Sequence, residues 1–167
     1  MEIIHWLPKE QPERGEAIHA TYMAIWNAPE NLRFLSRTGK PFTEAQVWLW
    51  LEQHDSQGGA FIYAWDASKQ EVIGVAISML DAMHGASLLG IGVLPTHRNQ
   101  GVGQGLIDAT LIHATKKEFH QLEAEVFCDN PEMLRLLLKL NFTPVEMRYH
   151  QRYDGTDSLR LIHPLSI

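Results

Sequence analysis

The residue types able to do chemistry in this 167-residue chain are concentrated between positions 89 and 105, in the stretch LGIGVLPTHRNQGVGQG. A glycine-rich apolar strand gives way at Pro95 to a polar loop, and an apolar helix begins just beyond it. Gly101 and Gly103 allow successive backbone N–H groups to converge, and the first turn of a helix carries unpaired donors worth about half a positive charge. Such a turn binds anions, a diphosphate fits its size, and Arg98 can add charge at its mouth. A Walker loop would need Gly-Lys-Ser/Thr, but the residues are Gly103-Gln104-Gly105, without the lysine or the magnesium ligand. A dinucleotide fingerprint would place its first glycine directly after the strand; here residues 95–100 intervene and the third glycine comes one residue early. Glu123 stands near the distance at which that fingerprint keeps its ribose-binding acid, so nicotinamide binding stays open as the weaker alternative. A glycine turn with no ligand explains the pattern poorly, because three glycines in five residues are costly at a helix start.

Other reactive residues are sparser. Glu123 and Glu125 alternate, which places both on one wet face of a strand. The histidines form no HxxxH or HxH pair, so no metal site is expected. Cys128 reads as a buried strand-end residue, and Trp48 and Trp50 as helix-packing residues rather than an aromatic cage.

Periodicity supplies the elements that must position these groups. Residues 3–7 read as a short strand, residues 8–15 as a turn-rich entry, and residues 16–26 as an amphipathic helix closed by Pro29. Thr43 with Gln46 forms a capping-box pattern opening a helix to about Gln53, and Gly58-Gly59 ends that region. The period then falls to two through residues 60–65, 71–79 and 86–93, three consecutive strands joined by short turns. A helix over residues 103–119, a strand over 122–127 and a helix opened by Asn130 and Pro131 follow. Residues 142–151 and 156–162 close the chain as a hairpin through Asp154-Gly155. The order β, α, α, β, β, β, α, β, α, β, β predicts one α+β domain over residues 1–167 around a mixed sheet.

Composition narrows the function classes. With 45% hydrophobic and 20% charged residues the chain is of ordinary globular type, and no apolar run reaches the ~20 residues of a membrane span. A net charge of −6 with scattered lysines and arginines argues against nucleic-acid binding. One cysteine and no signal-peptide pattern point to the reducing cytoplasm.

Two segments together resemble the GNAT family of N-acetyltransferases, which move acetyl from acetyl-CoA to amines. The family's diphosphate signature, Arg/Gln-x-x-Gly-x-Gly/Ala after a strand ending Val-x-Pro, is matched by Val93-Leu94-Pro95 and by Arg98-Asn99-Gln100-Gly101-Val102-Gly103. Its second segment, Asn-x-x-Ala-x-x-Leu-Tyr-x-Lys-x-Gly-Phe, aligns with residues 130–142. Asn130, Leu136, Lys139 and Phe142 match it, while Met133, Leu137 and Asn141 replace Ala, Tyr and Gly. The likeness is strong over residues 86–142 and topological elsewhere.

The resemblance implies a three-layer α/β/α fold whose mostly antiparallel sheet opens where two parallel strands, residues 86–93 and 122–127, part. It implies acetyl-CoA as cosubstrate, bound by Ile91, Gly92, Val93, Arg98, Asn99, Gln100, Gly101, Val102, Gly103, Gln104 and Asn130, with the Ile91 amide donating to the thioester carbonyl. Gly90 and Gly92 would permit a bulge there. Glu125 aligns with the general base of ribosomal-protein alanine acetyltransferases, and Leu137 stands where the family keeps an acidic tyrosine. Ser87, Cys128, Tyr149 and Tyr153 are the candidate replacements for that acid. The implied reaction is acetylation of a primary amine of a small molecule or a peptide or protein N-terminus, with no metal, and the chain acting alone or as a homodimer. Acceptor choice should reside in residues 16–53 and 149–159. A noncatalytic acyl-CoA-binding module is the alternative within the same resemblance.

Overall fold

The computed structural model describes residues 1–6, 11–56, 59–81 and 85–166, leaving out the side chains of residues 55 and 81. The expected strand end at Leu7, the Gly58 position and the middle of the turn between the second pair of strands lie outside the described residues. In chain order the elements are β1 (Glu2–Trp6), α1 (Gly15–Asn27), α2 (Pro29–Leu35), α3 (Glu44–Ser56), β2 (Gly59–Asp66), β3 (Glu71–Asp81) and β4 (Gly85–Val93). They continue with α4 (Val102–Lys116), β5 (Gln121–Phe127), α5 (Pro131–Lys139), β6 (Thr143–Arg148) and β7 (Ser158–Pro164).

One helix was not expected. Pro29 does not simply end α1; it stands in the first turn of α2, where its fixed φ suits the helix and its missing N–H costs nothing. The capping box predicted for α3 forms as read: Thr43 N–H donates to Gln46 Oε1 at 2.9 Å and Gln46 N–H to Thr43 Oγ1 at 3.3 Å.

The seven strands lie in the order β1-β2-β3-β4-β5-β7-β6, antiparallel except for the β4–β5 pair. Helices cover both faces, and β2 shows why its apolar run is nearly unbroken. Ala60, Ile62 and Ala64 pack with Leu106 and Ile107 of α4, whereas Phe61 and Tyr63 pack with Ile18, Tyr22 and Ile25 of α1. A period-two strand buried on both sides needs apolar residues at every position. The layer holding α1 and α3 is rich in large rings, with Trp6, Tyr22 and Trp26 all under 5% exposed. Among the described residues no helix is long and apolar enough to cross a membrane.

Candidate functional site

The parallel pair meets over only three residue pairs, Ala86↔Leu122, Ser87↔Glu123 and Leu88↔Ala124. Beyond them β4 runs on to Val93 and β5 to Phe127 without pairing to each other. A register shift opposite Ile77 and Ser78 leaves Leu89 as the extra residue of a bulge, 43% exposed. Gly90 directly follows the bulged residue, opposite Ile77, and Gly92 lies two residues further along, opposite Val75. Gly92 is needed for packing, since a Cβ there would come within 2.3 Å of Ile25 Cγ2.

The parted strands open onto a cavity of about 800 Å³, within the range that holds a cofactor-sized ligand. Its lining brings together Ile91, Gly92, Val93, Arg98, Asn99, Gly101, Val102, Gly103, Gln104, Glu125 and Asn130 from the sequence-predicted set. Gln100 alone of that set is not among the lining residues; its side-chain amide donates to the Thr96 carbonyl at 3.1 Å.

At one end of the cavity the loop before α4 winds through two left-handed residues, Asn99 (φ 59°) and Gly101 (φ 81°). An Asn and a Gly are the residues that adopt this region with least strain. The first N–H that α4 uses itself is that of Gly105, donated to the Gly101 carbonyl at 2.9 Å, and no side chain caps the helix. The N–H groups of Val102, Gly103 and Gln104 thus have no acceptor within their own helix, which is the donor cradle a diphosphate needs. Arg98 lies at the mouth, its Nη2 donating to Asn31 Oδ1 of α2 at 2.6 Å. Lys139 Nζ donates to Gln104 Oε1 at 3.1 Å, tying α5 to the first turn of α4.

The second segment folds as its spacing requires. Asn130 caps α5, its Oδ1 accepting from Met133 N–H at 3.1 Å. Asn141 takes the left-handed cap at φ 61°, with Asn141 N–H donating to the Leu138 carbonyl and Phe142 N–H to that of Leu137, a Schellman closure. Leu137 is fully buried and lines the cavity with hydrocarbon.

Glu125 sits where the strands part, and its surroundings came from far along the chain. Arg37 Nη2 and Ser158 Oγ donate to its Oε1 at 2.8 and 2.6 Å, and Arg148 Nη1 donates to its Oε2 at 2.9 Å. Burial opposes ionisation of this carboxyl, but the Ser158 hydroxyl and the two guanidiniums outweigh it, so its pKa is lowered and it is a carboxylate at neutral pH. Glu123, alternating with it as expected, is paired with Arg160 at 2.6 Å.

Sequence reasoning did not single out Arg37, Ser158 or His54, all of which line the cavity. His54 Nδ1 lies 2.7 Å from the Trp50 carbonyl, so that nitrogen carries the proton, and burial lowers its pKa, leaving a neutral ring. Arg37 also reaches Gln151 Oε1 at 2.7 Å, and Tyr153 N–H donates to the Arg37 carbonyl at 2.9 Å, so residues 16–53 and 149–159 meet at this arginine. Behind them Arg152, 7% exposed, donates to Asp129, Asp154, Thr156 and the Arg33 carbonyl, fixing the turn that presents Asn130. Of the groups considered as replacements for the missing acid, Ser87 lines the cavity, whereas Cys128, Tyr149 and Tyr153 do not. Cys128 is exposed rather than buried, because β5 has ended before it.

Asp66 and Glu71, paired across the β2–β3 turn, also converge with His97 from the loop after β4. The Lys69 ammonium lies 3.1 Å from His97 Nε2 and 3.9 Å from Glu71, so a cation of the chain itself already sits against this group.

The sequence profile of the acetyltransferase (GNAT) family matches residues 17–142. The chain belongs to that family. This GNAT chain also shares its fold with solved structures. The ribosomal-protein-alanine N-acetyltransferase of Brucella melitensis superposes with a TM-score of 0.79 at 18% identity, over 99% of this chain and 100% of that one. An N-acetyltransferase of Staphylococcus aureus Mu50 gives 0.80 at 19% identity, over 99% and 100%. A phosphinothricin acetyltransferase of Sinorhizobium meliloti, solved in complex with AcCoA, gives 0.73 at 18%, over 99% and 88%. No curated protein matches the sequence. The mixed sheet with one parting parallel pair is thus the GNAT fold, and acetyl-CoA is the family's cosubstrate.

Proposed function

We propose that this chain transfers acetyl from acetyl-CoA to a primary amine of a small molecule or of a peptide or protein N-terminus. The observation that carries the reading is the opening of β4 from β5 directly beside the unpaired N–H groups of α4. Bound there, acetyl-CoA supplies an acyl group already activated on sulfur. Main-chain donors of residues 101–104, with Arg98 and Asn130, hold its polar end. The Ile91 amide donates to the carbonyl oxygen on which negative charge develops, an effect worth about 3 kcal/mol when the donor is fixed beforehand.

Glu125 receives the proton of the attacking amine, directly or through water. Deprotonating an amine of pKa about 10.4 at pH 7 costs ~4.6 kcal/mol, against ~1 kcal/mol for an α-amino group near 7.8. A carboxylate held by two arginines is a weak proton acceptor, so the site favours amines of the second kind. Leu137 donates no proton, and a thiol of pKa near ~8.5 can leave without one.

The test is thermal denaturation with acetyl-CoA or NADH, followed by thiol release with an amine panel. Acetyl-CoA at 100 times its Kd should stabilise by about 2.7 kcal/mol, a rise of roughly 5–10 °C, and NADH should give none. Stabilisation by NADH alone would overturn the reading, and acetyl-CoA binding without thiol release for any amine would leave a noncatalytic module.

A further inference from the structure

A second cavity, of about 360 Å³, opens off the first on the α1–α3 face of β4. Trp26, Leu35, Phe42, Val47, Trp50 and Leu89 form its walls, and none of its lining residues is charged. Its rings are locked against one another, Trp26 lying 4.6 Å from Trp50 and 5.6 Å from Phe42 between centroids. Gln46, whose Oε1 is already engaged by Thr43 in the α3 cap, and the indole N–H groups are the polar groups of the lining, Trp26 Nε1 being buried with no partner among the described residues.

The two cavities share Leu35, Trp50, Leu89 and Gly90. They therefore meet at the β4 bulge, beside the Ile91 amide to which the thioester was assigned. The bulge turns Leu89 out of the sheet and into both spaces, and Gly90 leaves room beside Trp26, whose Cζ2 is 3.4 Å from where a Cβ would be. Charge divides the same way. Glu30, Glu123, Glu125 and Glu132 line the large cavity together with Arg37, Arg98 and Lys139, and the small one offers a cation no carboxylate.

We propose that the small cavity receives the apolar body of the acceptor, and that the acceptor is an α-amine carrying a phenyl-sized or branched aliphatic side chain. This rests on the acetyl-transfer reading above and names its substrate class. A void of about 150 Å³ already holds benzene, so an aromatic side chain fits with space to spare. The amine stays in the large cavity with Glu125, and a polyamine, charged along its length, has nothing to place in the small one.

The experiment measures acetylation of L-phenylalaninamide, L-leucinamide, glycinamide and spermidine by the full chain, with acetyl-CoA saturating. The three amides share one type of α-amine, so differences among them report the side chain. Phenylalaninamide and leucinamide should exceed glycinamide in kcat/KM by about 30-fold or more, since each buried carbon contributes several-fold in affinity. Equal rates for glycinamide, or preference for spermidine, overturns the proposal. Intrinsic tryptophan fluorescence supplies a readout independent of turnover, because Trp26 and Trp50 line the cavity. If acetyl-CoA binds but no amine is acetylated, saturable quenching by phenylalaninamide and not glycinamide upholds the cavity while the catalytic reading fails. Absence of that quenching overturns the cavity assignment whatever the activity.

Discussion

The half of the molecule from β4 through α5 and the half made by α1–α3 with the β6–β7 connection face each other across one cleft, and they are built from different materials. In the first, the groups proposed to bind are main-chain N–H donors presented by a strand edge and a helix start, fixed by backbone conformations at Asn99, Gly101 and Asn141. In the second, they are side chains drawn from distant segments, with Arg37 joining Glu125 at a separation of 88 residues and Gln151 at 114. Backbone recognition tolerates sequence change but not steric intrusion. Side-chain recognition does the reverse. Changes in the first half should therefore act on cofactor binding nearly all-or-none, and changes in the second should act by degrees on acceptor and pH.

The sharpest break of this contrast is Gly103→Leu. A Cβ at this position would lie 3.4 Å from Leu136 Cδ2 and 4.0 Å from Val93 Cγ2, and a longer side chain must go into the cradle or displace α5. We expect acetyl-CoA affinity to fall by about 1000-fold or more, roughly 4 kcal/mol, with circular dichroism unchanged. Retained thermal stabilisation by acetyl-CoA would remove the main-chain donors from the binding account.

Glu125→Gln comes next and probes the carboxylate of β5 that side chains of the second half clasp from across the cleft. Loss of a general base costs typically about 100-fold in rate, so kcat at pH 7 should drop by that order. The deficit should shrink at pH 9 for an α-amine, which is already neutral there, and persist more strongly for a lysine-like amine. A deficit independent of pH and of amine basicity would make Glu125 a residue that positions Arg37 and Arg148 only.

Those two residues also mark how far the sequence could be read. The α4 turn was legible because a helix start is a local event, and residues 93–103 carry strand end, loop and glycines in one continuous run. The α5 cap was legible for the same reason, even with Asn141 in place of glycine. The two-arginine clasp on Glu125 was not, since no local pattern joins positions 37, 125, 148 and 158. Helix α2 was missed because a proline can end one helix and begin the next, and periodicity over seven residues does not decide between them. Trp50 was read as packing, which it is, but packing against Trp26 leaves its other edge in two cavities.

Arg152→Ala tests whether the side-chain half also supports the backbone half. The arginine is nearly enclosed, and its removal leaves Asp129, the neighbour of the α5 cap, with only the exposed Arg33 as its ion-pair partner. Breaking such a pair costs about 3 kcal/mol when fully buried; Asp129 is part-exposed, so about 2 kcal/mol is expected, a fall in Tm of roughly 4–8 °C. Arginine holds the carboxyls of Asp129 and Asp154 well below their usual range. Their contribution is present above the ordinary carboxylate pKa and is lost as pH falls through the depressed folded values, so the variant's deficit should narrow in acid. A deficit constant from pH 7 to pH 2 would assign the loss to packing of the guanidinium over Phe127 instead.

The smallest effect lies away from the cleft and serves as its control. His113 of α4 meets His5 of β1 edge to face at 4.2 Å, and burial, with the His5, Lys117 and Lys116 charges, lowers its pKa to about 4. Between that value and the unfolded 6.5, the unfolded chain binds a proton that the folded chain refuses. Stability therefore rises with pH across this window and is lost as pH falls through it. His113→Phe keeps a ring against His5 and removes the titration, so the Tm slope between pH 6.5 and 4 should flatten while acetyl-CoA binding and the Glu125-dependent rate profile stay as they were. If instead the rate profile moved with His113, acid sensitivity of the fold and protonation in the cleft would be one process, and the pH behaviour expected of Glu125 would have to be measured again in the His113→Phe background.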